Sequence, residues 1–337
     1  MKNLENRRVL LNARPVGVPG ADYFSIDEQP VNPLKDGEFL IHNSFLSVDP
    51  AMRGWVNDAP NYSPPVPVGS VMRAFAVGEI IASNHPGYAV GETVSGLFGW
   101  QRFAISNGDD VMRRVDDADL SPTLALGVLG LNGITAYFGL LDLCDPQPGE
   151  TVVVSTAAGA VGSCVGQIAK IRGCKTVGIA GGADKVHSCL NAFGYDAAID
   201  YKNSNDLEAD IGQACADGVD GYFDNTCGPI SDAVFANLAL GARITVCGTA
   251  AIQEWQPLPV GPRVHRQLMV NRARMSGFLV LDYKARYAEA VAALANWVRS
   301  GEITYREHIL DGFEQAPQAL QMLYRGENNG KLLIRVD

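Results

Sequence analysis

The chain has 337 residues, which is long enough for two domains with separate cores, because single hydrophobic cores seldom grow past roughly 250 residues. Its composition, 47% hydrophobic and 19% charged, is that of an ordinary globular protein. The net charge of −10 means that most of the surface repels a phosphate backbone, so we expect no nucleic-acid partner.

The N-terminal stretch reads MKNLENRRVLLNARP and has no apolar core of secretory length. Later segments do not reach the run of roughly 18 apolar residues that a membrane helix needs. We therefore expect a cytoplasmic protein with no membrane partner.

Residues 1 to about 125 are rich in Pro, Gly and short β-type runs, namely GEFLIHNSF, AFAVGEIIAS, GETVSGLFG and WQRFAIS. Several short strands separated by turn signals predict a small all-β barrel or sandwich. From residue 124 onward the character of the sequence changes.

Strand-like and helix-like segments then alternate. The strand TVVVST precedes a helix, VGSCVGQIAKIRG, that ends at Gly173, and the strand KTVGIA precedes a helix from Asp184 to Phe193. The short strand AAIDY and a helix near 206–216 come before GVDGYFDNT, and ISDAVFANLAL leads into the strand ARITVCG. This alternation predicts right-handed βαβ units and an α/β fold with a doubly wound parallel sheet.

The end of the chain returns to the strand-like runs YREHIL and KLLIRV, separated by the helix FEQAPQALQMLYR. Because the alternating pattern is complete by Ser300, we expect this last segment to rejoin the first domain. The predicted domains are residues 1–125 with 302–337, and residues 126–301.

The glycines after TVVVST predict a dinucleotide phosphate loop. Gly159 and Gly162 stand in the strand-turn-helix context that lets backbone N–H groups approach a pyrophosphate, although Ala157 replaces the first glycine of the usual G-x-G-x-x-G pattern. Alanine is acceptable there if its φ is negative. The alternative is a tight turn without a ligand.

The end of the next strand bears on the choice between NAD and NADP. An NAD-binding unit usually places Asp or Glu there to bind the ribose 2′-hydroxyl, whereas KTVGIAGGADK ends in Gly181 and Gly182 with Lys185 close by. A missing carboxylate and a nearby cation favour the 2′-phosphate of NADP. Asp184 is better explained as a helix cap.

The seven cysteines are an odd number without a C-x-x-C pair, and the first 143 residues contain none. This distribution is typical of reduced, mostly buried thiols, and it excludes a zinc site built on cysteine in that half of the chain. The five histidines show no metal-ligand spacing, so we expect no metal.

Several stretches, taken together and in order, resemble landmarks of one family. They are LSVDPAMRG, VGSVMRAFAVGEII, VGETVSGLFGWQRFAI, LGLNGITAYFGL, AAGAVGSCVGQIAK, FDNTCG and GENNGKLLI. The chain resembles the zinc-independent medium-chain dehydrogenase/reductases, in the group of prostaglandin reductases, leukotriene dehydrogenases, curcumin reductase and alkenal double-bond reductases.

The resemblance implies a GroES-like, mainly β catalytic domain, a Rossmann domain, NADPH as cofactor and a homodimer. It also implies reduction of the C=C bond of α,β-unsaturated carbonyl compounds. Quinone reduction with the same cofactor, and an NADPH-binding protein without turnover, are the alternatives.

The resemblance also implies cofactor-binding residues by matching motif. The phosphate loop would be Ala158, Gly159, Ala160, Val161 and Gly162, and Lys185 and Tyr201 would flank the 2′-phosphate. Asn225 and Asn328 would bond elsewhere along the dinucleotide. The nicotinamide end would be lined by the backbone of two segments, Cys247, Gly248 and Thr249, and Phe278, Leu279 and Val280. Asn225 could instead simply end its strand, and Asn328 could simply form a turn.

Two departures from the family pattern affect the substrate side. Ala51, in VDPAMR, and Gln253, in TAAIQEW, stand where relatives carry tyrosines that face the substrate. Tyr62, in NYSPP, is a candidate catalytic substitute, and Trp255 is a candidate for contact with the pocket wall. Packing in the core or in a loop is the alternative role for both.

Overall fold

The computed structural model describes residues 4–59, 61–252, 257 and 259–337. The chain divides into two compact units, which we call the first unit (Met1–Leu126 with Glu307–Asp337) and the second unit (Gly127–Arg306).

The first unit begins with short strands. The strand Glu5–Leu11 alternates the buried Val9 and Leu11 with the partly exposed Leu10, as a half-buried antiparallel strand does, whereas the strand Ala76–Ser83 begins with three buried residues. A single short helix interrupts them, and 3₁₀ turns lie at Ala21–Tyr23 and Pro122–Leu126. The elements are β1 (Glu5–Leu11), β2 (Phe24–Pro30), β3 (Phe39–Ser47), α1 (Ala51–Trp55), β4 (Ala76–Ser83), β5 (Thr93–Gly96), β6 (Phe103–Ser106) and β7 (Val111–Arg114).

The second unit alternates strands and helices along the described chain. It opens with a helix that continues into a π-helix (Gly139–Cys144), and a 3₁₀ segment (Val280–Arg286) lies near its end. The elements are α2 (Leu131–Phe138), β8 (Thr151–Ser155), α3 (Ala160–Ile171), β9 (Lys175–Ala180), α4 (Ala183–Asn191), β10 (Ala197–Asp200), α5 (Leu207–Ala214), β11 (Val219–Asp224), α6 (Gly228–Phe235), β12 (Leu238–Val246), α7 (His265–Asn271), β13 (Arg274–Gly277) and α8 (Tyr287–Ser300).

The last segment completes the first unit with β14 (Glu307–Asp311), α9 (Ala316–Arg325) and β15 (Lys331–Arg335). Its mixed sheet has the order β14-β15-β3-β4-β5-β7, with β6 also paired to β3, and β1 and β2 form a separate antiparallel pair. Thus the return of the chain supplies two strands of the first unit's main sheet.

Residues 302–306 lie in the second unit. The Gln167 side chain donates from Nε2 to the Thr304 carbonyl oxygen at 2.9 Å and accepts from the Thr304 N–H at 2.8 Å. This two-way bond fastens the segment before β14 to α3, so the unit boundary falls at Arg306.

The sheet of the second unit is parallel throughout its six described strands, in the order β10-β9-β8-β11-β12-β13. Numbered from β8, this is the 3-2-1-4-5-6 order of a dinucleotide-binding fold. The β8 run TVVVS is buried along its whole length, because helices cover both faces of such a sheet. The predicted doubly wound parallel sheet is confirmed.

The strand order reverses between β8 and β11, and ligands of such folds bind at the carboxyl ends of the strands at this point. The turns that follow β8 and β11 are therefore the first place to look for a site. Among the described residues, no helix has the length and apolar character that crossing a membrane requires.

Candidate functional site

The turn after β8 brings the chain close to the start of α3. Thr156 has a φ of 53°, so the left-handed position of the turn falls one residue before Ala157, which is outside the positive-φ region. A Cβ on Gly162 would lie 2.3 Å from the Thr156 carbonyl oxygen, and one on Gly159 would lie 2.9 Å from Thr156 Cγ2. Alanine therefore fits at position 157, whereas the two glycines are needed for the close approach.

The predicted phosphate-loop residues Ala158–Gly162 span this turn and the first turn of α3. Gly159 is the N-cap, and Ala160, Val161 and Gly162 begin the helix. N–H groups in the first turn of a helix have no intrahelical partner, and the helix dipole is positive at that end. The turn is thus a geometry that can receive a pyrophosphate.

Gly166, one turn further along α3, makes room for an aromatic ring. A Cβ at this position would lie 2.2 Å from Tyr195 Cζ, and the Tyr195 hydroxyl donates to the Gly162 carbonyl oxygen at 2.7 Å. Tyr195 is buried behind the loop and fixes the first turn of α3 from the side opposite its N–H groups.

The end of β9 gathers Lys185, Tyr201 and a residue that the sequence reasoning missed, Lys202. A Cβ on Gly181 would lie 2.8 Å from Tyr201 Cε1 and 2.9 Å from Lys202 Cε, so both side chains lie over this glycine. Burial, together with the charge of Lys202, lowers the pKa of Lys185 below its ordinary value. An anion beside these two lysines would offset their mutual repulsion.

A carboxylate also stands near the end of β9, but it comes from the neighbouring strand. Asp200 accepts hydrogen bonds from the backbone N–H of Gly182 at 2.8 Å and of Lys202 at 3.1 Å, and from Asn203 Nδ2 at 2.7 Å. These bonds lower the pKa of Asp200. The carboxylate is used to fix the turn that carries Lys202.

The turn after β11 is fixed by a buried carboxylate that the sequence reasoning also missed. One oxygen of Asp224 accepts from the backbone N–H of Thr226 and of Cys227, both at 2.9 Å, and the other accepts from the Ser231 hydroxyl at 2.6 Å. These bonds hold Cys227 at its positive φ of 58° and define the start of α6.

Asn225 lies directly at the point where the strand order reverses. Its Nδ2 donates to the Ser155 carbonyl oxygen at 2.7 Å, and its backbone N–H donates to Ser155 Oγ at 2.8 Å. Its amide nitrogen therefore bridges β11 to the end of β8. This contact gives Asn225 a structural role, and its binding to the dinucleotide stays a prediction.

Cys247, Gly248 and Thr249 follow β12 and attach to the same turn. The Asp224 carbonyl oxygen accepts from the N–H of Cys247 at 2.8 Å and of Gly248 at 3.1 Å, and Thr249 closes a turn by accepting from Ile252. A Cβ on Gly248 would lie 3.0 Å from the Asn225 carbonyl oxygen. The structure thus brings Asn225 and the predicted segment 247–249 together.

Phe278, Leu279 and Val280 follow β13 directly. Since Val246 pairs with Gly277, the two predicted nicotinamide-end segments leave neighbouring parallel strands at the same edge. Phe278 packs against Gly139 at the start of the π-helix, where a Cβ would lie 3.0 Å from its ring, and the Tyr287 hydroxyl donates to the Val280 carbonyl oxygen.

Asn328 belongs to the first unit, in the turn between α9 and β15. Its Nδ2 donates to the Gly330 carbonyl oxygen at 2.7 Å, which stabilises that turn. Whether Asn328 also contacts a dinucleotide stays a prediction.

On the substrate side, Ala51 begins α1 and packs against the core of the first unit. Tyr62 lies in the segment that follows α1, with its side chain half exposed, and Asn61 Oδ1 accepts from its backbone N–H at 2.8 Å. Gln253 and Trp255, the other two predicted substrate-side residues, lie outside the described residues.

A zinc ion does not fit the side chains present. Among the described residues, no group of three or more His, Cys, Asp or Glu could hold a metal ion. Burial raises the pKa of all seven thiols, to about 11 for Cys227 and about 12 for Cys247, so they are protonated near neutral pH. Zinc binds the thiolate form of cysteine.

The parallel six-stranded sheet with its glycine turn, in a chain that also carries a β-rich unit, defines a dinucleotide-binding oxidoreductase of the medium-chain type. Residues 7–113 match the family model "N-terminal domain of oxidoreductase", and residues 160–296 match the family model "Zinc-binding dehydrogenase".

Known proteins match over nearly the whole chain. NADPH-dependent curcumin reductase of Escherichia coli (strain K12) is 42% identical and covers 98% of this chain and 97% of its own length. Prostaglandin reductase 1 of Sus scrofa is 39% identical (95% and 96% covered), and 2-alkenal reductase (NADP(+)-dependent) of Nicotiana tabacum is 35% identical (99% and 98%). The crystal structure of CurA in complex with NADPH from Vibrio vulnificus superposes with a TM-score of 0.92 at 40% identity, covering 98% of this chain and 99% of that one.

The chain therefore belongs to the medium-chain dehydrogenase/reductase superfamily, in its group of prostaglandin, curcumin and alkenal reductases. The predicted combination of a Rossmann domain with a GroES-like domain is confirmed by the same matches.

The raised thiol pKa values predict slow reaction with thiol reagents. Since a thiol reacts as its thiolate, the native protein at pH 8 should release almost no chromophore from Ellman's reagent within minutes, and the rate should rise as the pH approaches about 11, the value of Cys227. The guanidinium-unfolded protein, as control, should react at all seven cysteines. A native thiol that reacts completely within seconds at pH 8 would contradict the protonated state.

Proposed function

We propose that the chain is an NADPH-dependent reductase of carbon–carbon double bonds conjugated to a carbonyl group. The observation that carries this proposal is the match, over 95% or more of the chain, to reductases named for curcumin, prostaglandin and 2-alkenal. When bound, NADPH supplies the hydride that adds to the β-carbon of the substrate, and a solvent proton completes the α-carbon.

The residues of the second unit fit the dinucleotide. The first turn of α3 presents the N–H groups of Ala160, Val161 and Gly162 to the pyrophosphate. In this proposal Lys185 and Tyr201 bind the 2′-phosphate, and the partial burial of Lys185 beside the positive charge of Lys202 supports the assignment. Asn225, Asn328 and the segments 247–249 and 278–280 orient the remaining parts of the cofactor.

Tyr62 is our candidate for the group that bonds the substrate carbonyl oxygen. Negative charge develops on that oxygen as the hydride arrives, and a hydrogen-bond donor placed there lowers the barrier. Because alanine at position 51 cannot donate a hydrogen bond from its side chain, we assign this role to the hydroxyl of Tyr62 in the first unit. Gln253 and Trp255 lie outside the described residues and stay candidates from the sequence alone. Because alanine and glutamine replace two tyrosines of the family pattern, we expect a changed substrate range.

A second copy of the chain is the proposed protein partner. In the described part of the sheet, β13 pairs on one side only, and its neighbourhood exposes Leu240, Met269, Val270 and Met275. A free strand edge with apolar side chains can pair with the same edge of a second copy across a two-fold axis.

We expect the following with a panel of acceptors, monitored by NADPH absorbance. Enals and enones should be consumed with formation of the saturated carbonyl product, identified by mass spectrometry, whereas isolated alkenes should not react because they cannot form an enolate. Turnover of quinones alone would support the quinone reductase alternative. Tight NADPH binding without turnover of any acceptor would support a non-catalytic binding protein.

The 2′-phosphate assignment predicts the effect of Lys185→Ala. Because a hydrogen bond to a charged group contributes about 1.5–3 kcal/mol, the KM for NADPH should rise at least about tenfold, with the KM for NADH nearly unchanged. Lys175→Ala is the control, since the exposed Lys175 side chain donates to the Ala214 carbonyl oxygen and lies at the start of β9, away from the turn that carries Lys202. Equal effects of Lys185→Ala on both cofactors would overturn the assignment.

The dimer proposal predicts that the wild-type chain sediments at twice the 36.0 kDa of one protomer. Met275→Lys, at the exposed edge of β13, should shift the protein to the monomer, because it places a charge in the apolar contact. Leu190→Lys, an equally exposed apolar position on α4, is the control and should stay dimeric. A monomeric wild-type protein contradicts the proposal.

A further inference from the structure

Arg73, which lies just before β4, fastens the segment that carries Tyr62 to α1. Its Nη1 donates to Ser63 Oγ at 2.7 Å and to the Pro64 carbonyl oxygen at 2.8 Å. Its guanidinium carbon lies 5.6 Å from the centroid of the Trp55 ring, in a cation–π contact. One side chain thus joins the last residue of α1 to the two residues that follow Tyr62.

The Asn61 side chain makes a second contact between the segment that carries Tyr62 and α1. A Cβ on Gly54 would lie 2.5 Å from Asn61 Nδ2, so the Asn61 side chain lies directly on the backbone of the helix. The Oδ1 atom of the same Asn61 side chain accepts a hydrogen bond from the Tyr62 backbone N–H. Tyr62 is therefore held from both sides, by Asn61 before it and by the Arg73 contacts after it.

A second tyrosine, Tyr324, interacts electrostatically with Tyr62. Tyr324, on α9, donates its hydroxyl to the carbonyl oxygen of Pro50 at 2.8 Å. Tyr62 is close enough to interact electrostatically with that Tyr324 hydroxyl. Because Pro50 directly precedes Ala51, the Tyr324 hydroxyl lies beside the position where relatives of the family carry a substrate-facing tyrosine.

Arg73 also places a positive charge beside Tyr62. Burial lowers the pKa of Arg73 and the neighbouring Tyr62 hydroxyl opposes this, so the two groups interact electrostatically. An arginine stays protonated even when its pKa is lowered. A second cation, the buried Arg53 of α1, interacts electrostatically with Tyr324. Partial burial strengthens such interactions relative to water.

We propose that Arg73 is a positioning residue for Tyr62, holding its segment against Gly54 and Trp55 of α1 and stabilising the negative charge that the Tyr62 hydroxyl takes on when it donates to the substrate. The inference rests on the proposed function and deepens it. The hydroxyl hydrogen bonds to the carbonyl oxygen as the enolate forms, and the guanidinium charge favours this shift of the proton towards the substrate.

A double-mutant cycle with Arg73→Met and Tyr62→Phe tests the inference. The Met side chain keeps an apolar stem against Trp55 and removes the donors and the charge. Removing a positioned proton donor should lower kcat for an enone about 100-fold in Tyr62→Phe. Arg73→Met should lower it about tenfold in the wild-type background but less than about twofold in the Tyr62→Phe background, because the two residues act as a unit.

Controls separate this effect from general damage. The Kd for NADPH, measured by fluorescence titration, should stay unchanged in all variants, and Arg73→Lys, which retains the charge, should lose less kcat than Arg73→Met. Arg335→Met is the matched control, because Arg335 in the same unit likewise lies over an aromatic ring (Phe45, 5.7 Å) and bonds a side chain, that of Asp311. Its kcat should equal that of the wild type.

The possible outcomes distinguish the inference from the proposed function. If the two losses multiply, or if Tyr62→Phe keeps full kcat, the inference is overturned while enone reduction by the wild type still stands. If the wild-type chain reduces no enone, the proposed function fails and the inference fails with it. A small loss from Arg73→Met in the Tyr62→Phe background, with unchanged NADPH binding, supports both.

Discussion

The buried carboxylate of Asp224 is the group on which the candidate site of the second unit depends. It accepts hydrogen bonds from the N–H groups of Thr226 and Cys227 and from the hydroxyl of Ser231. The backbone carbonyl of Asp224 accepts a hydrogen bond from the N–H of Cys247. A carboxylate at this depth is stable only when its oxygens are bonded in this way. The turns after β11 and β12 are consequently fixed by the protein itself before any ligand arrives.

Much of the second unit could be predicted because its signals are local. Apolar runs such as TVVVS predict buried parallel strands, and glycines such as Gly173 and Gly301 mark helix ends, where the structure has φ values of 80° and 78°. The strand order followed from the general rules for βαβ units. The π-helix at Gly139–Cys144 gave no such local signal; at its start the Thr245 hydroxyl, distant in sequence, donates to the Gly139 carbonyl oxygen.

The missed site residues depend on contacts between distant segments. Lys202 reaches the end of β9 only because Gly181 has no side chain in its way, and the sequence shows the glycine without showing what fills the space. The sequence FDNTCG shows Asp224, but it does not show that the carboxylate accepts a hydrogen bond from Ser231 on α6. The sequence likewise does not show what lies against Gly166; in the structure it is the ring of Tyr195. Tyr62, by contrast, stands eleven positions after Ala51 and could be identified only as a tyrosine close in sequence. The contacts of Asn61 and Arg73 are what hold its segment against α1.

The burial of the cysteines has a chemical consequence for a protein that handles the proposed substrates. Enals and enones are electrophiles that add to thiolate sulfur, so an exposed low-pKa cysteine near the site would be open to alkylation. Cys227 and Cys247, the two partly exposed thiols, lie next to the buried negative charge of Asp224, which disfavours a second anion beside it. The same carboxylate that orders the turns thereby helps to keep the neighbouring thiols protonated, the form that reacts slowly with the proposed substrates.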